Sequence, residues 1–223
     1  MRFCDFWLVV QRSGVEGLPI VSLLSFLIGF ILAFVGALQL ERFGADIYVA
    51  DLVGLSMVRE MGSMMAGIIM CGRTGAAFAA QIGTMKVTEE IDALRTLGIS
   101  PIDFLVLPRI LALFLMMPLL ALYANVLGIL GGLLVGVGML DISFTQYINQ
   151  TAAAIGFSDF YSGIIKSVIF GMLVAYMGCL RGMQCESSSS GVGLATTSAV
   201  VSGITAIIIA DASFTVIFNI LNI

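Results

Sequence analysis

The chain is 223 residues long, 60% of them hydrophobic and only 11% charged, and its mean hydropathy is +1.11. That balance excludes an ordinary soluble domain and points to an all-α integral membrane protein. With a net charge of −4, no histidine, and four cysteines (Cys4, Cys71, Cys179, Cys185) that lack ligand spacing, nothing supports nucleic-acid binding, a metal site or a disulfide framework.

Residues 1–17 (MRFCDFWLVVQRSGVEG) have a short apolar centre flanked by charges. This predicts an interfacial helix with Phe6 and Trp7 at headgroup level, and the cleavage pattern of a signal peptide is missing. The chain begins so close to this helix that an N-terminal extension is expected to be missing. Five stretches of roughly 20 or more apolar residues then predict transmembrane helices. They run from about Pro19 to Leu40, Leu55 to Ile82, Ile102 to Leu140, Tyr161 to Leu180 and Leu194 to Leu221. The third is too long for one straight crossing, and Pro108 and Pro118 interrupt it. It is therefore kinked and tilted or starts along the interface, with a sixth crossing left open. Met139 to Asp159 reads as an outer connection with a short amphipathic helix, and Gln184 to Ser190 as a flexible inner turn. Cys71 and Cys179, inside predicted spans, read as small buried apolar residues.

The segment from 86 to 98 predicts a short helix between two spans. Glu89, Glu90 and Asp92 crowd its first turn, Arg95 lies near its end and Gly98 stops it. Val87, Ile91 and Leu94 form one apolar stripe. Ser100 then caps the next helix, with Pro101 in the first turn and Asp103 returning a capping bond. From the residues alone, a docking helix and a plain solvated loop fit equally well. With this segment inside, Arg2, Arg12, Lys86, Arg95, Arg109 and Arg181 fall on or near the cytoplasmic side, which puts the N-terminus inside and the C-terminus outside. Gly44 to Asp51 is then outside.

Charges within spans are costly, about 2.5–3.5 kcal/mol each on insertion scales. Arg59 and Glu60, read as the outer start of the second span, are adjacent and do not face one another, so each needs a partner elsewhere. They fit a lipid headgroup site or a structural ion pair. Arg73 must face protein or a polar cavity, and Asp211 fits substrate contact or a pair with an arginine. Gly128, Gly132 and Gly136 form a small-residue stripe in the third span, as do Gly75, Ala79 and Gly83 in the second, for packing within one subunit or a dimer seam. Leu23, Leu27, Phe30 and Phe34 mark one apolar face of the first span.

The run GRTGAAFAAQIGTMKVTEEIDAL, preceded by RE-x-G and followed by LGISP and LVLPRILA, resembles the MlaE/YrbE permeases, the membrane subunits of Mce-associated ABC transporters that move phospholipid and related lipids. GVGLATTSAVV at residues 191–201 is similar to the start of that family's last helix. The resemblance implies a permease domain over residues 18–223, in the bacterial inner membrane. It also implies that Glu89, Glu90, Ile91, Asp92, Ala93 and Leu94 form the coupling helix against a cytoplasmic ATPase. The sequence has no G-x-x-x-x-G-K-[ST] phosphate loop, so the chain is expected not to be an enzyme, and ATP and Mg belong to that partner. An MlaD-like Mce-domain protein, a STAS-domain protein and a second copy of the chain are the other implied partners. As a homodimer it would enclose a lipid cavity, with Leu27, Phe30, Arg59, Glu60, Ile204, Ile208 and Asp211 as candidate lining residues. The family usually has proline where Ser63 stands and commonly a carboxylate where Gln81 stands. The rival reading is an ATP-independent carrier or channel, which would call for several intramembrane carboxylates and an internal repeat. The sequence offers one clear central carboxylate, Asp211, and no repeat. A membrane-embedded enzyme fits less well, for want of a nucleophile and base pair.

Overall fold

The computed structural model describes residues 3–221, with side chains from residue 7 onward. Arg2 and the side chains of Cys4 and Phe6 lie outside that description. The chain is 90% helical, and no strand occurs among the described residues. Helix α1 (Phe3–Gly14) passes through a 3-10 turn, Val15–Gly17, into α2 (Leu18–Leu40). Pro19 falls in the first turn of α2, where no intrahelical N–H is required. Gly44, at φ 64, closes the turn that follows.

The next helical run, Tyr48–Val87, is 40 residues long. It consists of α3 (Tyr48–Ser56), α4 (Gly62–Met70) and α5 (Ala76–Val87), joined by π-turns at Met57–Met61 and Cys71–Gly75. Helix α6 (Glu90–Thr96) follows at once, and a third π-turn, Ile102–Val106, leads into α7 (Leu107–Gly138). After α8 (Phe144–Ala154) come α9 (Phe157–Met183) and α10 (Ser189–Ile220). Five runs are long and apolar enough to cross a membrane, as expected: Trp7–Phe43, Tyr48–Val87, Ile102–Met139, Phe157–Met183 and Ser189–Ile220.

Several boundaries differ from those read in the sequence. The second span starts at Tyr48, not Leu55, so Arg59 and Glu60 sit inside a helix rather than at its start, and Tyr48 to Asp51 is helix rather than loop. Asp51 is tolerated there because its carboxylate accepts a 2.9 Å bond from the Gln150 amide. The third span is one unbroken helix through Pro118, which settles the question of a sixth crossing. Ser189 and Ser190 belong to α10, not to a loop: Ser188 caps that helix by accepting from the Gly191 N–H at 3.0 Å. The expected outer helix is α8, whose start is held by a capping box between Ser143 and Gln146.

The chain divides into two compact units. One comprises Leu18–Ala66, Pro118–Ser167 and the segment from Val216. Here α2 buries a stripe of small residues, Val21, Ser25, Gly29, Ala33, Gly36 and Ala37, and leaves Leu23, Leu27, Phe30 and Phe34 exposed. A Cβ at Gly29 would collide with the Gly128 backbone, and one at Gly131 with the Phe26 carbonyl, so α2 and α7 meet main chain to main chain. Gly132 and Gly136 instead make room for the fully buried ring of Tyr147 on α8. Burial pushes the Tyr147 phenol up to about 12, so it is neutral at physiological pH.

The other unit comprises Gly67–Met117, Val168–Thr215 and the N-terminal segment through Gly17. Helix α9 supplies its close approaches. Added Cβ atoms at Gly171, Gly178 and Gly182 would lie 2.7 Å from the Leu113 carbonyl, 2.7 Å from the Gly75 carbonyl and 2.8 Å from Ile82. Cys71 and Cys179 are buried free thiols, as expected of small apolar fillers. The glycine stripes therefore serve packing within one chain. That α9 carries a third such stripe is not among the patterns read in the sequence.

Gly29→Leu should destabilise the purified chain in detergent by about 3 kcal/mol, because backbone atoms cannot move aside as a side chain can. Gly138→Ala, where a Cβ meets nothing within 4 Å, should change stability by no more than about 0.5 kcal/mol. Thermal unfolding followed by circular dichroism distinguishes the two.

Candidate functional site

A π-turn adds one residue to a helical turn and so re-aims the side chains on it. In Met57–Met61 the Gly62 N–H reaches back five residues to the Met57 carbonyl. Arg59 and Glu60, on this turn, both find partners on α9. The Arg59 guanidinium donates to Asp159 Oδ1 at 3.0 Å, and the Lys166 ammonium donates to Glu60 Oε2. Asp159, Gly163 and Lys166 share one face of α9, four and three residues apart. A Cβ at Gly163 would strike the Val58 carbonyl, so this glycine lets α9 approach closely enough for both pairs to form. Lys166 is fully buried, while the Glu60 side chain keeps 26% of its exposure. The two pairs cancel four charges that would each be expensive in an apolar setting.

Of the two readings of Arg59 and Glu60, the structural ion pair is thus present. Asp159, Gly163 and Lys166 were missed in the sequence, and the signal for Lys166 was available: it is a lone charge in the apolar run YSGIIKSVIFG. Ser63, buried in the turn after this π-turn, donates to the Glu60 carbonyl at 3.1 Å, a tie that proline could not make. Arg73 faces protein, as its cost in lipid demands, and donates to the Arg12 carbonyl at 3.0 Å and to Glu16 at 2.6 Å. Gln81 accepts from the buried Arg109 at 3.2 Å.

The remaining candidates for a lipid cavity divide between the two units. Leu27 and Phe30 lie with Arg59 and Glu60 in one, on the exposed face of α2. Ile204, Ile208 and Asp211, spaced four and three, lie along one face of α10 in the other. Ile208 is exposed and Asp211 half-buried. Only 11% of the most apolar stretch of α10 is buried, against 50% for α9, so α10 presents most of its surface outward.

The short helix between the second and third spans is α6. Glu89 is not in its first turn but adopts the left-handed conformation, φ 60, as its N-cap, and Val87 ends α5. The stripe expected at Val87, Ile91 and Leu94 is therefore split between two helices: Ile91 is buried, and Val87 and Leu94 partly so. Gly98, at φ 73, ends α6 as expected, with the Ile99 N–H bonding the Leu94 carbonyl. Glu89, Glu90, Asp92 and Ala93 are exposed. Ser100 accepts from the Asp103 N–H at 3.5 Å, the weak form of the cap expected there.

Residues 6–217 match the family described as permease MlaE. The chain belongs to that family. It is 40% identical over 205 residues to a probable ABC transporter permease protein of Rickettsia prowazekii, covering 92% of this chain and 79% of that one. It is also 33% identical over 189 residues to the intermembrane phospholipid transport system permease protein MlaE of Haemophilus influenzae, covering 84% and 72%. The protein TRIGALACTOSYLDIACYLGLYCEROL 1 of Arabidopsis thaliana is 33% identical over 202 residues, covering 91% of this chain and 58% of that one. This MlaE-family chain is thus an ABC transporter permease and a multi-pass membrane protein.

Lys166→Met should strip Glu60 of its ammonium partner and cost about 3 kcal/mol, the low end for a broken buried pair because Glu60 is partly exposed. The double variant Lys166→Met/Glu60→Gln should recover part of that loss. A double-mutant cycle on unfolding free energies measures the coupling.

Proposed function

We propose that this permease is the membrane subunit of a phospholipid transporter powered by a separate cytoplasmic ATPase, and that it delivers lipid to or receives it from an Mce-domain protein. The observation that carries this reading is α6: a short helix held by Ile91 between two long spans, with its acidic residues exposed. Glu89, Glu90, Asp92 and Ala93 form the surface offered to basic or amide groups of the ATPase, while Ile91 and Leu94 anchor the helix. ATP and Mg would be bound by that partner. In this arrangement α6 and the N-terminus are cytoplasmic and the C-terminus is periplasmic, across the bacterial inner membrane. The phospholipid assignment is supported by the name of the Haemophilus influenzae relative. A STAS-domain protein completes the proposed assembly.

Reversing charge at Glu90 and Asp92 together, to Lys, should lower lipid-stimulated ATP hydrolysis of the complex at least about tenfold while leaving the spans folded. Normal coupled hydrolysis in an intact complex of that double variant would remove the docking role. The ATP-independent carrier predicts instead that the chain alone sustains lipid flux in liposomes.

Two copies about a two-fold axis would enclose the lipid cavity. Apolar surface on α2 and α10 supplies its walls in this proposal, at the exposed Leu27, Phe30 and Ile208 and the half-buried Ile204, with Asp211 on the same face of α10. Arg59 and Glu60, with Asp159 and Lys166, form its polar mouth. Acyl chains contribute most of the binding through buried apolar area, at about 25 cal/mol per Å². Photocrosslinkers at Phe30 and Ile204 should capture phospholipid in the assembled complex, and Ile208→Trp should block transport without preventing assembly. Unchanged transport in the Trp variant, with no lipid captured at either position, would overturn the cavity.

A further inference from the structure

A cavity of about 520 Å³ lies under the amphipathic helix α1, within the size range of small-ligand sites. Its charges do not balance. Among the described residues, Arg12, Arg73 and Arg109 line it against a single carboxylate, Glu16, which pairs with Arg73. Arg12 and Arg109 have no ion-pair partner among the described residues. Arg109 is 9% exposed, its guanidinium 5.4 Å above the Phe78 ring. Its Nη atoms bond the Leu105 carbonyl and Gln81, but its Nε–H is buried with no partner among the described residues. The Ser13 hydroxyl, 2% exposed and lining the same cavity, also lacks a partner among those residues. Two buried polar groups left unsatisfied beside uncompensated positive charge mark a site built for an anion with several acceptor oxygens.

The rim indicates which anion reaches it. Trp7, Leu8 and Val15 are 66%, 46% and 57% exposed on and just after α1, the kind of apolar surface that an amphipathic helix lays on a bilayer interface. Leu8 and Val9 line the cavity beside Arg12, so a group descending from the headgroup layer meets apolar side chains first and guanidiniums behind them. We propose that this cavity binds the phosphate of an anionic phospholipid headgroup, with Arg12, Arg109 and Ser13 as its donors and Arg73 holding α1 over it through the Arg12 carbonyl. The site shares no residue with the transport cavity proposed above and does not depend on it.

Trp7 is the only tryptophan in the chain and stands next to Leu8, so its fluorescence reports on lipid at this rim. The full chain is reconstituted in mixed bilayers in which either phosphatidylglycerol or phosphatidylcholine carries brominated acyl chains. At about 1 M NaCl, where the screening length is about 3 Å, general attraction to anionic lipid is suppressed. Trp7 should then be quenched with about tenfold preference by the phosphatidylglycerol, falling to within about twofold in Arg12→Gln and Arg109→Gln. Arg42→Gln, an equal loss of charge in the other unit, should keep the preference. Arg12→Gln keeps the test valid if Arg109→Gln fails to fold, because the Arg12 side chain is exposed. Loss of the preference on adding inorganic phosphate, in the wild type only, would support the phosphate site with a free anion as its occupant. No preference in the wild type, or one that survives both arginine variants, overturns the proposal.

Discussion

Contact between main chains through glycine is the constraint on which the rest of this structure depends. In lipid there is no hydrophobic drive to bring helices together, so they associate where small residues allow backbones to touch and dispersion attraction to accumulate. Gly29 against Gly128, Gly163 against Val58, and Gly178 against Gly75 are such points. The polar interactions depend on them. Lys166 reaches Glu60 and Asp159 reaches Arg59 because Gly163, between them on α9, carries no side chain.

The π-turns answer a second requirement, that charges in apolar helices be aimed rather than merely present. Met57–Met61 carries Arg59 and Glu60, Cys71–Gly75 carries Arg73, and Ile102–Val106 carries Asp103. In a regular helix, adjacent residues are about 100° apart, and a second helix can seldom meet both. The extra residue of the π-turn shifts the side chains so that α9 satisfies both Arg59 and Glu60. Arg109 is handled differently, with a carbonyl, an amide and an aromatic face in place of a carboxylate, and no described carboxylate compensates its positive charge. Such an arrangement lowers the cost of burying a guanidinium without cancelling its field.

What the sequence made legible follows from which physical signals are local. Five spans are visible because each is a continuous apolar run, and Gly98 marks a helix end because a left-handed turn favours glycine. The start of the second span at Tyr48 was hidden because Asp51 depends on Gln150, 99 residues away, for its hydrogen bond. Pro118 looked like a break, yet in an apolar bundle neighbouring groups compensate a missing N–H and the helix continues. Glu89 could not be recognised as a left-handed residue, since glutamate has no preference for that region. Ser188 has the chemistry of a helix cap, but the serine run around it masks that signal. The resemblance to known permeases singled out the segment now proposed to dock the ATPase, whereas the ion pairs at Arg59 and Glu60 required the fold, because their partners lie on another helix.

A seven-residue helix such as α6 is too short to be stable alone, so what fixes it bears on what it can transmit. Ile91 is buried, the left-handed Glu89 turns the chain sharply out of α5, and Gly98 closes the far end. The helix is therefore fixed at both termini and along one face. A load applied to its exposed acids passes into α5 on one side and the start of α7 on the other. Each of those runs holds a π-turn within reach, Cys71–Gly75 before and Ile102–Val106 after. Converting a π-turn to regular helix displaces what lies beyond it by about one residue, roughly 1.5 Å and 100°, without breaking the helix. In the proposed transporter, that conversion lets two spans answer one docking helix together.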